Sequence, residues 1–124
     1  MWEYEKAIDA LEYSFIIDPT FEEGYMECAE VCLQQNEIEK ALNIYMEYHE
    51  RFDHDQDVII AIADCHMKLD EVVKAKVLLL KALKMDSHND EIYYMLGECF
   101  AMNKNWYSAI NAYLKGIELS HIHI

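Results

Sequence analysis

The sequence predicts an all-α chain of antiparallel helical hairpins that repeat every 34 residues. Three observations carry this. The 124 residues include only three Gly and one Pro, too little turn chemistry for a sandwich or a barrel. Ala7, Ala41, Ala75 and Ala109 are spaced by 34, and a large apolar group follows each four residues later: Leu11, Tyr45, Leu79 and Tyr113. The same period carries Tyr25, Ile59 and Tyr93, then Cys28, Ile62 and Leu96, then Ala29, Ala63 and Gly97. Columns that keep one period without an insertion are the signature of a repeat array.

The elements follow in order. A helix over 3–17 carries Tyr4, Ala7 and Leu11 on one face and stops at Asp18-Pro19. Helices over 22–34 and 37–51 place Tyr25, Cys28, Ala29 and Cys32 opposite Ile38, Ala41 and Tyr45. Helices over 56–68 and 71–84 repeat the arrangement with Ile59, Ile62, Ala63 and His66, then Val72, Ala75 and Leu79. Asp86, Ser87 and Asn89 precede a helix over 90–102, and the last helix covers 105–119. The closing Ser-His-Ile-His-Ile alternates in character and is expected to fray or run strand-like. Small residues sit where two helices must approach closely, and large ones fill the seam around them. The array divides into a half repeat over 1–21 and repeats over 22–55, 56–89 and 90–124, about seven helices in one domain.

The run Tyr93-x2-Leu96-Gly97-x2-Phe100, then Ala109-x3-Tyr113, resembles the tetratricopeptide repeat. Ala7, Leu11 and Pro19 match the second half of an earlier unit. The middle units depart from the pattern: the Pro column reads Pro19, Asp53, Ser87 and His121, and Ile59 and His66 replace aromatics. The resemblance implies a right-handed superhelical solenoid. It also implies that the first helix of each hairpin lines a concave, ligand-binding surface. It is specific for fold and nearly silent on function.

Composition narrows the partner. A net charge of −14 disfavours nucleic acid and anionic membrane surfaces, both of which want clustered Lys and Arg. A 53% hydrophobic content supplies a packed core. Cys28, Cys32, Cys65 and Cys99 fall inside helical patterns and read as reduced, buried thiols in a cytoplasmic, reducing setting. Met-Trp-Glu-Tyr-Glu-Lys lacks the basic and apolar regions of a signal peptide, and no apolar run is long enough to span a membrane.

On the first helices, Glu23, Asp57 and Glu91 form one acidic column, and Glu30, Asp64 and Glu98 form a second, seven residues on. Two turns bring residues seven apart to nearly the same face. Between and beside them lie Met26, Ile60 and Tyr94, then Leu33 and Met67. The predicted groove is an apolar, Met-containing stripe flanked by acid. It suits a basic or amphipathic peptide and repels the carboxylate tail that the family commonly clamps. The Lys6, Lys40, Lys74 row reads as solvated surface.

The chain begins mid-repeat and its last helix presents Ile110, Tyr113, Leu114, Ile117 and Leu119 without a polar cap. Either it is an excerpt of a longer array, or its end helices self-associate through Leu11, Ile110, Tyr113 and Ile117 as a homodimer. Cys28, Cys32 and His66 could be imagined as a zinc site but sit on core columns, so no metal and no cofactor is expected. Neither a nucleophile elbow nor a phosphate loop appears, so no catalysis is expected.

Overall fold

The computed structural model describes residues 22–52 and 56–122. Six helices occupy them: α1 Glu22–Gln34, α2 Ile38–Arg51, α3 Gln56–Lys68, α4 Val72–Met85, α5 Asp90–Met102 and α6 Trp106–Ile122. Among the described residues there is no strand. The helix expected over 3–17, with Ala7 and Leu11, lies outside them. The last helix runs on to Ile122, so the tail through that residue is helical and not strand-like. Neither Gly nor Pro follows Gly116 to stop it, and the Ser120 hydroxyl oxygen lies 2.9 Å from the Gly116 carbonyl oxygen.

Contacts divide the chain into two compact units, one ending at Val58 and one starting at Ile59. In the first, α1 and α2 form a hairpin sealed by Tyr25, Cys28, Ala29 and Cys32 against Ala41, Leu42 and Tyr45, all buried. Tyr25, Tyr48 and Phe52 cluster at one end, with centroids 4.9 to 6.3 Å apart, in tilted and edge-on geometries that suit ring quadrupoles. Tyr48 donates to Glu22 at 2.7 Å, which pins the start of α1 to α2.

In the second unit, one cluster joins Ile59, Ala63 and Met67 of α3, Ala75, Leu79 and Ala82 of α4, and Ile92, Leu96 and Cys99 of α5. The α5–α6 hairpin closes by reciprocal glycine contacts. A Cβ on Gly97 would lie 2.7 Å from the Tyr113 ring, and one on Gly116 would lie 2.8 Å from the Tyr94 ring. Only glycine lets these two helices come so close. At the open end, Asn89 caps α5 by accepting from the Glu91 amide at 3.0 Å, and Ser120 donates to Asp90 at 2.6 Å.

The three turns inside the hairpins also keep the 34-residue period. Asn36, Asp70 and Lys104 have φ of 60°, 64° and 60°. In each, the next amide bonds back five residues: Glu37 to Cys32 (2.9 Å), Glu71 to His66 (2.7 Å) and Asn105 to Phe100 (2.9 Å). The left-handed residue itself bonds back three: Asn36 to Leu33, Asp70 to Met67 and Lys104 to Ala101. This pairing is a Schellman motif, which satisfies the last helical carbonyls. Asn and Asp tolerate the left-handed region; Lys does so at a steric cost. Lys104→Gly is therefore expected to stabilise the C-terminal unit by about 0.5–1 kcal/mol, read as a higher urea midpoint at unchanged slope.

Ala41, Ala75 and Ala109 are all buried, and their amides all bond to the residue four before: Glu37, Glu71 and Asn105. The repeat predicted from these columns holds wherever the chain is described.

Candidate functional site

The expected groove residues divide by burial. Glu23, Glu30, Asp57, Glu91 and Glu98 are exposed, and Met26, Leu33 and Asp64 are half-buried. Ile60 is 6% exposed and Met67 9%; both belong to the core cluster of the second unit. Their apolar bulk is spent on α4 and α5, so they offer no anchor to a ligand. Tyr94 is also displaced from the expected stripe. Its ring lies against Gly116 and its hydroxyl sits 2.9 Å from the Ser120 hydroxyl, so it holds the α5–α6 hairpin together. Asp64 accepts an ion pair from Lys68 at 3.1 Å, which offsets its charge.

On α1 all four expected groove residues, Glu23, Met26, Glu30 and Leu33, keep surface open to solvent. A hollow of about 420 Å³ is lined by Glu22, Glu23, Met26, Glu27 and Tyr48. Three carboxylates surround one thioether and one phenol ring. The first turn of α1 carries two of these acids, where they also complement the helix dipole. The Tyr48–Glu22 hydrogen bond fixes one rim. Such a hollow offers charge to a Lys or Arg and a polarizable floor to an apolar side chain.

The end-helix residues divide too. Ile110 and Ile117 on α6 are 58% and 45% exposed, and Leu114 between them is 57%. Trp106 and Tyr107 extend the same strip. Tyr113 does not belong to it: it turns inward over Gly97, and burial raises its phenol pKa, with Glu98 adding to the effect. Leu119 is buried as well. Helical phase explains the split, because Tyr113 follows Ala109 on the inner face. Leu11 lies outside the described residues.

The thiols are structural. All four cysteines are buried. Desolvation pushes the Cys65 thiol up to about 11, with Asp64 raising it further and Lys68 opposing, so it stays protonated and unreactive at neutral pH. Among the described residues no group of three His, Cys, Asp or Glu side chains is arranged to hold a metal. His66 instead lies 3.2 Å from Glu71, which also takes Lys74 at 2.9 Å. The hydrogen bonds from Lys74 and His66 hold the Glu71 carboxyl below its ordinary range. A lowered carboxyl stabilises the fold fully above its unfolded pKa and loses that contribution as pH falls through the folded value. Lys74→Met is expected to raise the Glu71 titration toward the ordinary carboxylate range, read by carbonyl chemical shifts.

The sequence matches the family model of the coatomer epsilon subunit over residues 29–123. The chain belongs to the coatomer epsilon subunit family. No curated protein matches it in sequence. Solved structures share its fold at low identity. A MamA fragment (residues 41 to the end) from Desulfovibrio magneticus RS-1 is 15% identical, with a TM-score of 0.84 over 96% of this chain and 67% of that one. The APC/C hetero-tetramer Cut9–Hcn1 is 18% identical, with a TM-score of 0.80 over 95% of this chain and 22% of that one. PcrH in complex with the chaperone binding region of PopB is 14% identical, with a TM-score of 0.75 over 82% of each chain. The fold of this epsilon-family chain is therefore of the tetratricopeptide type. No described helix is long and apolar enough to cross a membrane.

One surface escaped sequence reasoning. In the second unit, a trough of about 370 Å³ lies among α4, α5 and α6, lined by Leu80, Leu83, Tyr93, Leu96, Phe100, Ser108, Asn111, Ala112 and Lys115. Its signal was present in α4. Val73, Val77 and Leu80 recur at i, i+4 and i+7 outside the Ala75–Leu79 core stripe, and all three are exposed.

Proposed function

We propose that this epsilon-family chain is a non-catalytic docking scaffold whose acidic α1 face receives a basic or amphipathic segment of another protein. The hollow formed by Glu22, Glu23, Met26, Glu27 and Tyr48 carries the proposal. It combines the charge and the adaptable apolar contact that a Lys- or Arg-bearing helix needs, on a rigid hairpin. Membership of a family named for a subunit fits a role within an assembly of several chains. PcrH, which shares this fold, is in complex with the chaperone binding region of PopB, and this supports the reading. Four buried thiols suit a reducing, cytoplasmic setting.

The test is binding of a basic amphipathic peptide to the full chain, followed by fluorescence anisotropy at two salt concentrations. The affinity is expected to fall with salt, and to fall about tenfold when Glu23, Glu27 and Glu30 are all changed to Gln. Unchanged affinity in that variant removes the acidic face from the account.

A second reading has its own observation. The exposed α6 strip of Ile110, Leu114 and Ile117 suits self-association as a homodimer. It requires a light-scattering mass that rises with concentration and returns to that of one chain in Ile117→Asp.

A further inference from the structure

Positive charge in the second unit gathers on one helix. Helix α4 carries Lys74, Lys76, Lys81 and Lys84 and no Asp or Glu. Facing it across the trough, α6 adds Lys115, whose ammonium lies 3.8 Å from Glu118, the one acid of that helix. The whole chain has a net charge of −14, so this surface opposes the sign of its surroundings. It is also apolar. Leu80, Tyr93 and Phe100 line the trough, and Lys76 stands 5.7 Å from the centre of the Phe100 ring. Lys84 follows Leu80 by one turn and continues the exposed strip begun by Val73 and Val77.

We propose that this trough binds an acidic amphipathic helical segment of another protein. Apolar side chains at i, i+3 or i+4 and i+7 enter between α4 and α6, and flanking Asp or Glu meet Lys76, Lys84 and Lys115. The site lies on other residues than the acidic α1 face and selects the opposite charge, so each surface stands or falls separately.

Two other occupants fit less well. A bilayer takes a broad row of protruding apolar side chains, whereas the three lysines here border a single trough of about 370 Å³ set among three helices. A second copy would have to offer an acidic helix with apolar anchors. Among the described residues of α1, α2, α3 and α5, the exposed large apolar side chains are Met46 on α2 and Met102 on α5, one to a helix, so their acidic faces bear no anchor row.

The experiment titrates the full chain into a labelled synthetic helix bearing Leu and Phe at the anchor spacing and Glu on its flanks. The same helix with Lys for Glu, and phosphatidylcholine–phosphatidylserine vesicles, serve as the other arms. The Glu helix is expected to bind, and to bind at least about tenfold more weakly to the Lys76→Glu, Lys84→Glu, Lys115→Glu variant with its helical circular dichroism intact. Lys84→Glu alone, at an exposed position, gives a smaller loss in the same direction and covers a failure of the triple variant to fold. Equal binding by these variants would overturn the proposal. So would equal binding of the Lys helix, binding of vesicles without binding of the Glu helix, or a dimer of the chain that the triple variant dissolves.

Discussion

Leu79→Ala is expected to cost the C-terminal unit about 3–4 kcal/mol, in the middle of the range for a buried leucine. Leu79 has no exposed surface and packs within the cluster that joins α3, α4 and α5. The cost of such a truncation depends on how far the neighbours can close the space. Here they cannot close it well. Ile59 and Ile92 are β-branched and stiff at χ1, and Ala63, Ala75 and Ala82 have no side chain to extend. The cavity therefore persists, and its lining loses dispersion contacts as well as transfer energy. Leu79→Met, which keeps volume, is expected to lose less than about 1.5 kcal/mol. Urea unfolding checks both. A loss below about 1 kcal/mol for the alanine variant would mean that the α3–α4–α5 core is not packed around this residue.

Gly97→Val is expected to destabilise the α5–α6 hairpin by about 3 kcal/mol, at the high end for an added side chain in a packed seam. The first added carbon already meets three atoms of the Tyr113 ring between 2.7 and 2.9 Å. Helix propensity favours nearly any residue over Gly by a few tenths to about 1 kcal/mol, so the sign is decided by the contact and not by the backbone. The reciprocal contact of Tyr94 with Gly116 locks the same two helices a few residues away. In the background Tyr113→Ala, the Gly97→Val penalty should fall to below about 1 kcal/mol, a coupling that a double-mutant cycle reads directly.

Much of the fold was legible because a repeat states each fact several times. The Ala column, the Gly97 position and the helix bounds within one residue, except at the end of α6, followed from period and phase. The intrahairpin turns did not. Asn36, Asp70 and Lys104 share a left-handed backbone, yet no residue type marks the column, because the Schellman bonds impose the geometry from the backbone. Among the expected groove residues, the exposure of Glu23, Glu30, Asp57, Glu91 and Glu98 was legible and the burial of Ile60 and Met67 was not. Ile60, Met67 and Tyr94 occupy the same register as Met26 or Leu33, but a neighbouring helix covers them. Register gives the face of a residue; only packing decides whether that face is free. The lysines of α4 were likewise legible one by one, while the trough they border depends on three helices at once.

The docking account is tested most directly by amide chemical-shift mapping on the isotope-labelled full chain during titration with a basic amphipathic peptide. Shifts that gather on α1 around Glu23, Met26 and Glu27, and fade as salt is added, are the predicted result. Shifts confined to α6, or none at peptide saturation of any other surface, would contradict it.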